Sequence, residues 1–295
     1  MADPSPLRLA VTTEAETFER IRPPLSDRGI LAEYIQPDER TFRLTDEPRP
    51  WGDERFDVGY VYPARLMEGA VLDVYLDIPW VNGRGAILRS RNKAGVLATL
   101  DRAGLAVPRS TYVSNPAEQT ALRDVYQEFD GPVVVKPNSA TRGVGVARAT
   151  DLDSFLGIVD YLNLVHDFVA TGDKSFLVQE YVPEARDLRV MVIDGTYAGA
   201  VERRLPAPMR ADGQWKHNVH RGAIATGVTP DDDVIRLAER VADVLDIAVI
   251  GVDLLVSDGR ALVSETNARP TIDEETKYKP DFYDRLAATI RATAR

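Results

Sequence analysis

Two turn signals in the last third of the chain restrict the fold more than any other feature. Asp194-Gly195 separates strand-like runs at 188–193 and 196–202, and Ser257-Asp258-Gly259-Arg260 separates runs at 252–256 and 261–265. A short Asp-Gly link between such runs is a strong hairpin signal, because the turn needs positive φ at a central position. Residues 231–245 lie between the hairpins. There Val234, Leu237, Ala238, Val241 and Leu245 fall on one helical face, behind an acidic first turn. Two hairpins with one amphipathic helix between them are therefore expected in the last third of the chain.

The N-terminal part reads differently. Residues 7–13 predict a strand, 14–28 a helix broken at Pro23-Pro24, and 56–62 a second strand, an α/β opening. No G-x-G-x-x-G follows the first strand, which argues against a phosphate-cradling dinucleotide domain. Residues 90–104 predict a helix with Ser90 as N-cap and Gly104 as its stop. Another helix is expected to start near Ser114-Asn115-Pro116, with proline in the first turn. Short buried strands are expected at 131–137 and 176–180, the first followed by a glycine-bearing loop at 138–146. Thr271-Ile272-Asp273-Glu274 has the form of a capping box before a further helical turn.

Composition narrows the function classes. At roughly 150 residues per domain, 295 residues make two compact units or one with a large insertion. The absence of cysteine excludes disulfides, thiolate metal sites and a thiol nucleophile. No apolar run approaches the roughly 18 residues of a membrane helix, and the first residues lack a basic and an apolar signal region. A cytoplasmic protein is expected. A net charge of −10 argues against nucleic-acid or anionic-membrane partners. Arginines number 30 and lysines only 6, so a lysine beside a glycine-rich or acidic motif is informative.

Five segments carry candidate chemistry. If the second hairpin pairs around Gly259, Asp253 lies opposite Glu265 and on the face shared by Asn267. Two carboxylates and an amide oxygen are hard ligands, suited to Mg²⁺ that also holds phosphate; the alternative is a solvated hairpin face. Lys136 ends a strand before the loop with Gly143 and Gly145, where backbone N–H groups can approach phosphate; the alternative is a plain hairpin connection. Gln179-Glu180-Tyr181-Val182, followed by Asp187, offers an edge for an adenine and an acid for ribose hydroxyls. Glu202-Arg203-Arg204 offers cations for phosphoryl charge. In a plain hairpin, however, Asp187, Arg189, Glu202 and Arg204 would share one face and neutralise one another. Lys216-His217-Asn218-Val219-His220-Arg221-Gly222 holds two of the three histidines; His166 is distant and cysteine absent, which disfavours a metal site there.

In this order the segments resemble the ATP-grasp superfamily, and within it the RimK-like carboxylate–amine ligases, over about residues 86–275. The resemblance implies an α/β fold, α+β in its C-terminal part. It implies an N-terminal Rossmann-like pre-ATP-grasp domain over 1–86, a central lid domain over 87–182 and a C-terminal metal-bearing domain over 183–295. Nucleotide contacts are implied for Lys93, Lys136, Glu180, Tyr181, Val182, Asp187, Lys216, His217 and Asn218, and magnesium ligation (or manganese) for Asp253, Glu265 and Asn267. Arg203, Arg204 and Arg221 would stabilise transferring charge. The turn between Glu180 and Asp187 is shorter than in the family, so Glu184 is an alternative ribose acid. Asn267-Ala268-Arg269-Pro270-Thr271 departs from the family's Asn-Ala-Ser-Pro-Gly, and Arg269 would clamp a substrate carboxylate. The implied activity is ATP-dependent joining of an amino acid, glutamate or similar, to a carboxylate acceptor, peptide or small molecule, through an acyl phosphate. Alternatives are a glutathione-synthetase-like or D-Ala-D-Ala-like ligase, or a nucleotide-binding regulatory module without turnover. Homo-oligomer formation is left open.

Overall fold

The computed structural model describes residues 5–36, 41, 55–140, 143–166, 173–217, 219 and 222–295. Strands β1 (Leu7–Val11), β2 (Ile30–Tyr34) and β3 (Val58–Tyr60) form a parallel sheet of order β2-β1-β3, with helix α1 (Ala15–Ser26) as the first crossover. Contrary to the sequence expectation, α1 runs through Pro23 and Pro24. Pro24 has no N–H for the carbonyl of Arg20, and the Tyr283 hydroxyl donates to that oxygen instead, at 3.4 Å.

Helices α2 (Leu66–Leu76), α3 (Arg84–Arg91) and α4 (Lys93–Arg102) follow. The single helix expected from Ser90 is thus two helices. Asn92 caps α4, its Oδ1 accepting from the Gly95 N–H at 3.0 Å. Ser90 lies inside α3, where its Oγ accepts the N–H of Ala268 at 3.0 Å and meets Thr266 Oγ1 at 3.2 Å.

Next come β4 (Ser110–Val113), α5 (Gln119–Gln127), β5 (Val133–Pro137), β6 (Ala147–Ala149), α6 (Leu152–His166) and β7 (Phe176–Glu180). The four strands form an antiparallel sheet of order β4-β7-β5-β6. Its own core joins Val133, Val135 and Val178 to Leu122 of α5 and Phe155 and Val159 of α6. Helix α5 starts at Gln119, beyond the proline expected to open it.

Strands β8 (Arg186–Ile193), β9 (Thr196–Arg204), β10 (Ile224–Val228), β11 (Val249–Ser257) and β12 (Arg260–Asn267) make an antiparallel sheet of order β10-β9-β8-β11-β12. Helix α7 (Ala207–Ala211) links β9 to β10, and α8 (Asp232–Leu245) packs Val234, Ala238, Val241 and Leu245 on the sheet. Both predicted hairpins and the helix between them are present. The capping box expected at 271–274 is not: a 3-10 turn, Glu275–Lys277, follows Glu274, which makes no side-chain cap. Helix α9 (Phe282–Thr293) closes the chain against α1, β3 and β8.

One continuous core joins the N-terminal sheet to the five-stranded sheet, including Leu9, Ile21, Val190, Val252, Phe282 and Leu286. The four-stranded sheet has a core of its own. Among the described residues no helix is long and apolar enough to cross a membrane.

Candidate active site

A cleft runs between the four-stranded and five-stranded sheets, and Lys136, Glu180, Asp187, Arg203, Asp253 and Glu265 all border it. The faces are decided by two register shifts. In the first hairpin Met191 pairs Gly199 but Val192 pairs Tyr197, which leaves Ala198 without an opposite residue. Asp187 therefore lies opposite Arg203, and Leu188 opposite Glu202. This corrects the plain-hairpin expectation that Asp187, Arg189, Glu202 and Arg204 share a face. Arg203 joins Asp187 and Arg189 on the cleft side. Glu202 instead pairs with Arg186 (Nη2–Oε2, 3.0 Å) and Arg204 (Nε–Oε1, 2.8 Å), and Arg204 is largely exposed.

In the second hairpin Asp253 pairs Glu265 as expected, with a bulge immediately after Asp253. Asp253 is buried and its two oxygens accept from Arg189 Nε and Nη2, both at 2.7 Å, with Arg203 Nη2 at 3.2 Å from Oδ2. Burial alone would raise this carboxyl, but the two guanidinium groups outweigh it and hold it at about 2. Burial raises Asp187 against the pull of Arg203, which donates to Asp187 Oδ1. Arg203 is raised: burial opposes its charge, and Asp253 and Asp187 more than compensate. Asn267 Nδ2 stands 3.4 Å from Asp253 Oδ2.

Lys93, the first residue of α4, is buried with its Nζ 3.3 Å from Glu265 Oε1, and it donates to the carbonyl of Ala140. Lys136 donates to Gln179 Oε1 at 2.6 Å, and burial lowers its ammonium although Glu265 opposes the shift. Gln179 is itself held by Ser110 Oγ at 2.9 Å. Glu180 accepts the N–H of Arg109 at 3.0 Å. Tyr181, Val182 and Glu184 border the cleft beyond β7. Lys216 donates to the carbonyl of Val146, and His217 Nδ1 is buried without a partner. Asn218 and Arg221, like His220, lie outside the described residues.

Arg269 does not meet Asp253 or Glu274. Its Nη2 donates to the carbonyl of Thr12 at 2.6 Å, and its Nη1 to the carbonyl of Tyr62 and to Thr12 Oγ1 at 3.3 Å. It thus ties the end of β12 to the N-terminal sheet.

Three contributors are absent from the sequence reading. Asn82 bonds the carbonyls of Val249 (2.6 Å) and Ala268 (2.7 Å) and so fixes both ends of the Asp253–Asn267 hairpin; nothing in its local sequence signals this. Trp215 meets Tyr181 edge-on at 5.9 Å, and Arg148 lies over both rings at 5.0 Å (Tyr181) and 5.6 Å (Trp215). A tryptophan beside the singled-out Lys216 was the available signal.

Among the described residues no three His, Asp or Glu side chains cluster as a metal site. The available donors are Glu265, partly exposed to the cleft, the Asn267 amide and Asp253. That set fits an Mg²⁺ that takes most of its oxygens from phosphate and water. Glu265 would exchange only the Lys93 contact, whereas Asp253 would also have to give up bonds to Arg189.

Residues 90–290 match the model of the RimK-like ATP-grasp domain. A protein named probable alpha-L-glutamate ligase from Aliivibrio fischeri is 31% identical over 226 residues, which cover 73% of this chain and 70% of that protein. One of the same name from Aliivibrio salmonicida is 32% identical over 196 residues, 65% of this chain and 60% of that one. The fold is shared with D-cycloserine synthetase DcsG, at a TM-score of 0.73 and 19% identity over 98% of this chain and 100% of that one. It is also shared with the ATP-grasp ligase PsnB in complex with a minimal precursor, Mg and ADP, at 0.68 and 16% over 100% and 99%.

Proposed function

The chain belongs to the RimK-like ATP-grasp family, and on that premise we propose that it is an ATP-dependent carboxylate–amine ligase that adds L-glutamate or a similar amino acid to a carboxylate acceptor. The observation that carries this reading is the charge set at the cleft. Lys93, Lys136, Arg189 and Arg203 face Asp187, Asp253 and Glu265, four cations against three carboxylates. A surplus of positive charge at the cleft suits a polyanion such as a nucleoside triphosphate.

In this reading a carboxylate oxygen of the acceptor attacks the γ-phosphorus of ATP, and the bond to the β-phosphate oxygen breaks to release ADP. The amine of the amino acid then attacks the acyl phosphate, phosphate leaves and the amine proton is lost to solvent. Lys136 and Lys93 bind phosphate oxygens, and Arg203 stabilises the charge that develops at the transferred group. Tyr181, Val182 and Trp215 surround the base, with Glu180 at its edge and Asp187 or Glu184 on the ribose. Glu265 and Asn267, with Asp253, hold Mg²⁺, which supplies charge neutralisation on the phosphates. The central part of the chain, 87–182, acts as a lid over the base at 183–295 and keeps water from the acyl phosphate. Arg269 is assigned to the amino acid's carboxylate, next to the ligands it follows.

The test is ADP release by the purified chain with Mg·ATP, screened over amino acids and carboxylate acceptors, with products read by mass spectrometry. A mass gain of one amino-acid residue with stoichiometric ADP is expected. ATP binding without ADP release for any pair would instead favour a regulatory module.

A further inference from the structure

Two guanidinium groups at the cleft face only neutral oxygens. Arg91, the last residue of α3, donates from Nη2 to the carbonyl of Ala64 at 2.9 Å. Arg269 meets the carbonyls of Thr12 and Tyr62 and the Thr12 hydroxyl. Among the described residues no Asp or Glu oxygen pairs with either, whereas Arg189 and Arg203, deeper in the charge set of the cleft, share Asp253. Arg91 and Arg269 line one small cavity with Ser90, Lys93, Glu265 and Asn267, and both border the main cleft.

The arrangement is electrostatically unfinished. Neither guanidinium has a carboxylate within ion-pair distance among the described residues, and both line the same cavity. Buried cations are ordinarily paired, because desolvation is repaid only by an opposite charge. Arg91 and Arg269, both partly buried, line one cavity, Arg91 held by one main-chain carbonyl and Arg269 by two, and two guanidinium forks at one cavity suit a planar anion.

We infer that Arg91 and Arg269 together seat the carboxylate of the amino-acid substrate that does not react, beside Glu265 and Asn267. This rests on the ligase reading. The charge of an arginine persists through the reaction, so its partner must also stay charged. The acceptor carboxylate becomes an acyl phosphate and then an amide, and would lose its hold. The α-carboxylate of the incoming amino acid stays ionised throughout. Arg269 is tied by its bonds to Thr12 and Tyr62 of the N-terminal part.

The test is calorimetric titration of the chain in saturating Mg·AMPPNP with L-glutamate, L-glutamine, 4-aminobutyrate and inorganic phosphate. L-Glutamate and L-glutamine, which keep the α-carboxylate, are expected to bind, and 4-aminobutyrate, which lacks it, to bind at least ten-fold more weakly. Arg91→Gln is the informative variant, since Arg91 makes a single bond to the fold. It should weaken L-glutamate at least ten-fold and leave the AMPPNP affinity within two-fold, with Arg91→Lys recovering only part of the loss. An unchanged glutamate affinity in folded Arg91→Gln overturns the seat. So does an equal loss of glutamate and AMPPNP, or competition by inorganic phosphate alone, because the anion is then a phosphate. If AMPPNP binds and no amino acid does, the seat fails while the nucleotide reading stands. If AMPPNP itself does not bind, the ligase reading falls and takes the seat with it.

Discussion

Replacing Asp253 by asparagine keeps its shape and removes one negative charge from a buried set that already carries a positive surplus. Asp253 is 4% exposed and is the shared acceptor of Arg189, through two bonds of 2.7 Å, and Arg203, at 3.2 Å. Removing one partner from a buried ion pair costs about 3–5 kcal/mol, because the remaining charges stay desolvated. At 2–4 °C per kcal/mol for a chain of this size, the melting temperature should drop by on the order of 10 °C. Glu265→Gln is the contrast. Its side chain is 29% exposed and holds one cation, the buried Lys93, at 3.3 Å, so a smaller loss of about 1–3 kcal/mol is expected. The pH dependence gives a second reading. Asp253 is held at about 2, below its ordinary value, so folding favours its ionised form. The stability it adds is complete above about pH 4 and is lost as the pH falls through about 2, worth about 2–3 kcal/mol. Asp187 works in the opposite direction, since burial raises it and protonation relieves that cost. Asp253→Asn should therefore flatten the loss of stability between pH 4 and 2. Thermal unfolding by circular dichroism across that window reads both effects. A variant that melts within about 2 °C of the parent and keeps its acid limb would refute the buried-pair reasoning.

Lys136→Ala should weaken Mg·AMPPNP binding at least ten-fold by calorimetry, whereas Lys279→Ala, whose ammonium lies over Tyr197 away from the cleft, should leave it unchanged; equal effects would remove Lys136 from the phosphates. Arg203→Ala should abolish ADP release, while Arg204→Ala, on the opposite face of β9, should retain most of it and lose only about 0–1 kcal/mol in urea unfolding; the reverse order would mean that the shift at Ala198 does not orient the cleft. Tyr60→Phe should leave stability unchanged or raise it by up to about 1 kcal/mol, since its hydroxyl is buried without a partner. A urea midpoint corresponding to a loss above about 2 kcal/mol would show that the hydroxyl is bonded.

The sheet register shows where sequence reasoning succeeds. Asp253 opposite Glu265 follows from counting outward from Gly259 only because a bulge compensates: the turn pairs Ser257 with Arg260, which would set Asp253 opposite Ser264, and the extra residue at Ser264 restores the pair with Glu265. The same counting fails in the first hairpin, where Ala198 is unpaired and every residue beyond it changes face. A signal was available: Gly199 interrupts an otherwise substituted strand, and an isolated strand glycine marks a bulge or a close approach. Both occur here. A Cβ on Gly199 would stand 2.7 Å from the Cα of Tyr278, whose backbone bridges to this point of β9. Pro23 and Pro24 misled for a different reason. Their cost is local, and the compensating Tyr283 hydroxyl comes from α9, far along the chain.

Sequence distance separates what could be read at the cleft from what could not. Asp187 and Arg203 are 16 residues apart across a single turn, and Asp253 and Glu265 lie on one hairpin, so strand periodicity brings each pair together. Arg189 and Asp253 are 64 residues apart, and Lys216 and Val146 are 70. Such contacts depend on sheet order and on the approach of the four-stranded sheet, for which a linear pattern carries no term. Lys93 shows the two scales meeting in one side chain. Its position as the first residue of α4 follows from Asn92 as the cap, yet its contacts join Ala140, beyond β5, to Glu265 of β12. Arg269 is the extreme case. Two residues beyond Asn267, it had to lie beside the candidate ligands, but the groups that aim it lie in Thr12 and Tyr62, 257 and 207 residues away. A side chain placed by its strand and aimed by another sheet reports on how the two are held together, so the proposed carboxylate seat would couple substrate recognition to the docking of the N-terminal sheet.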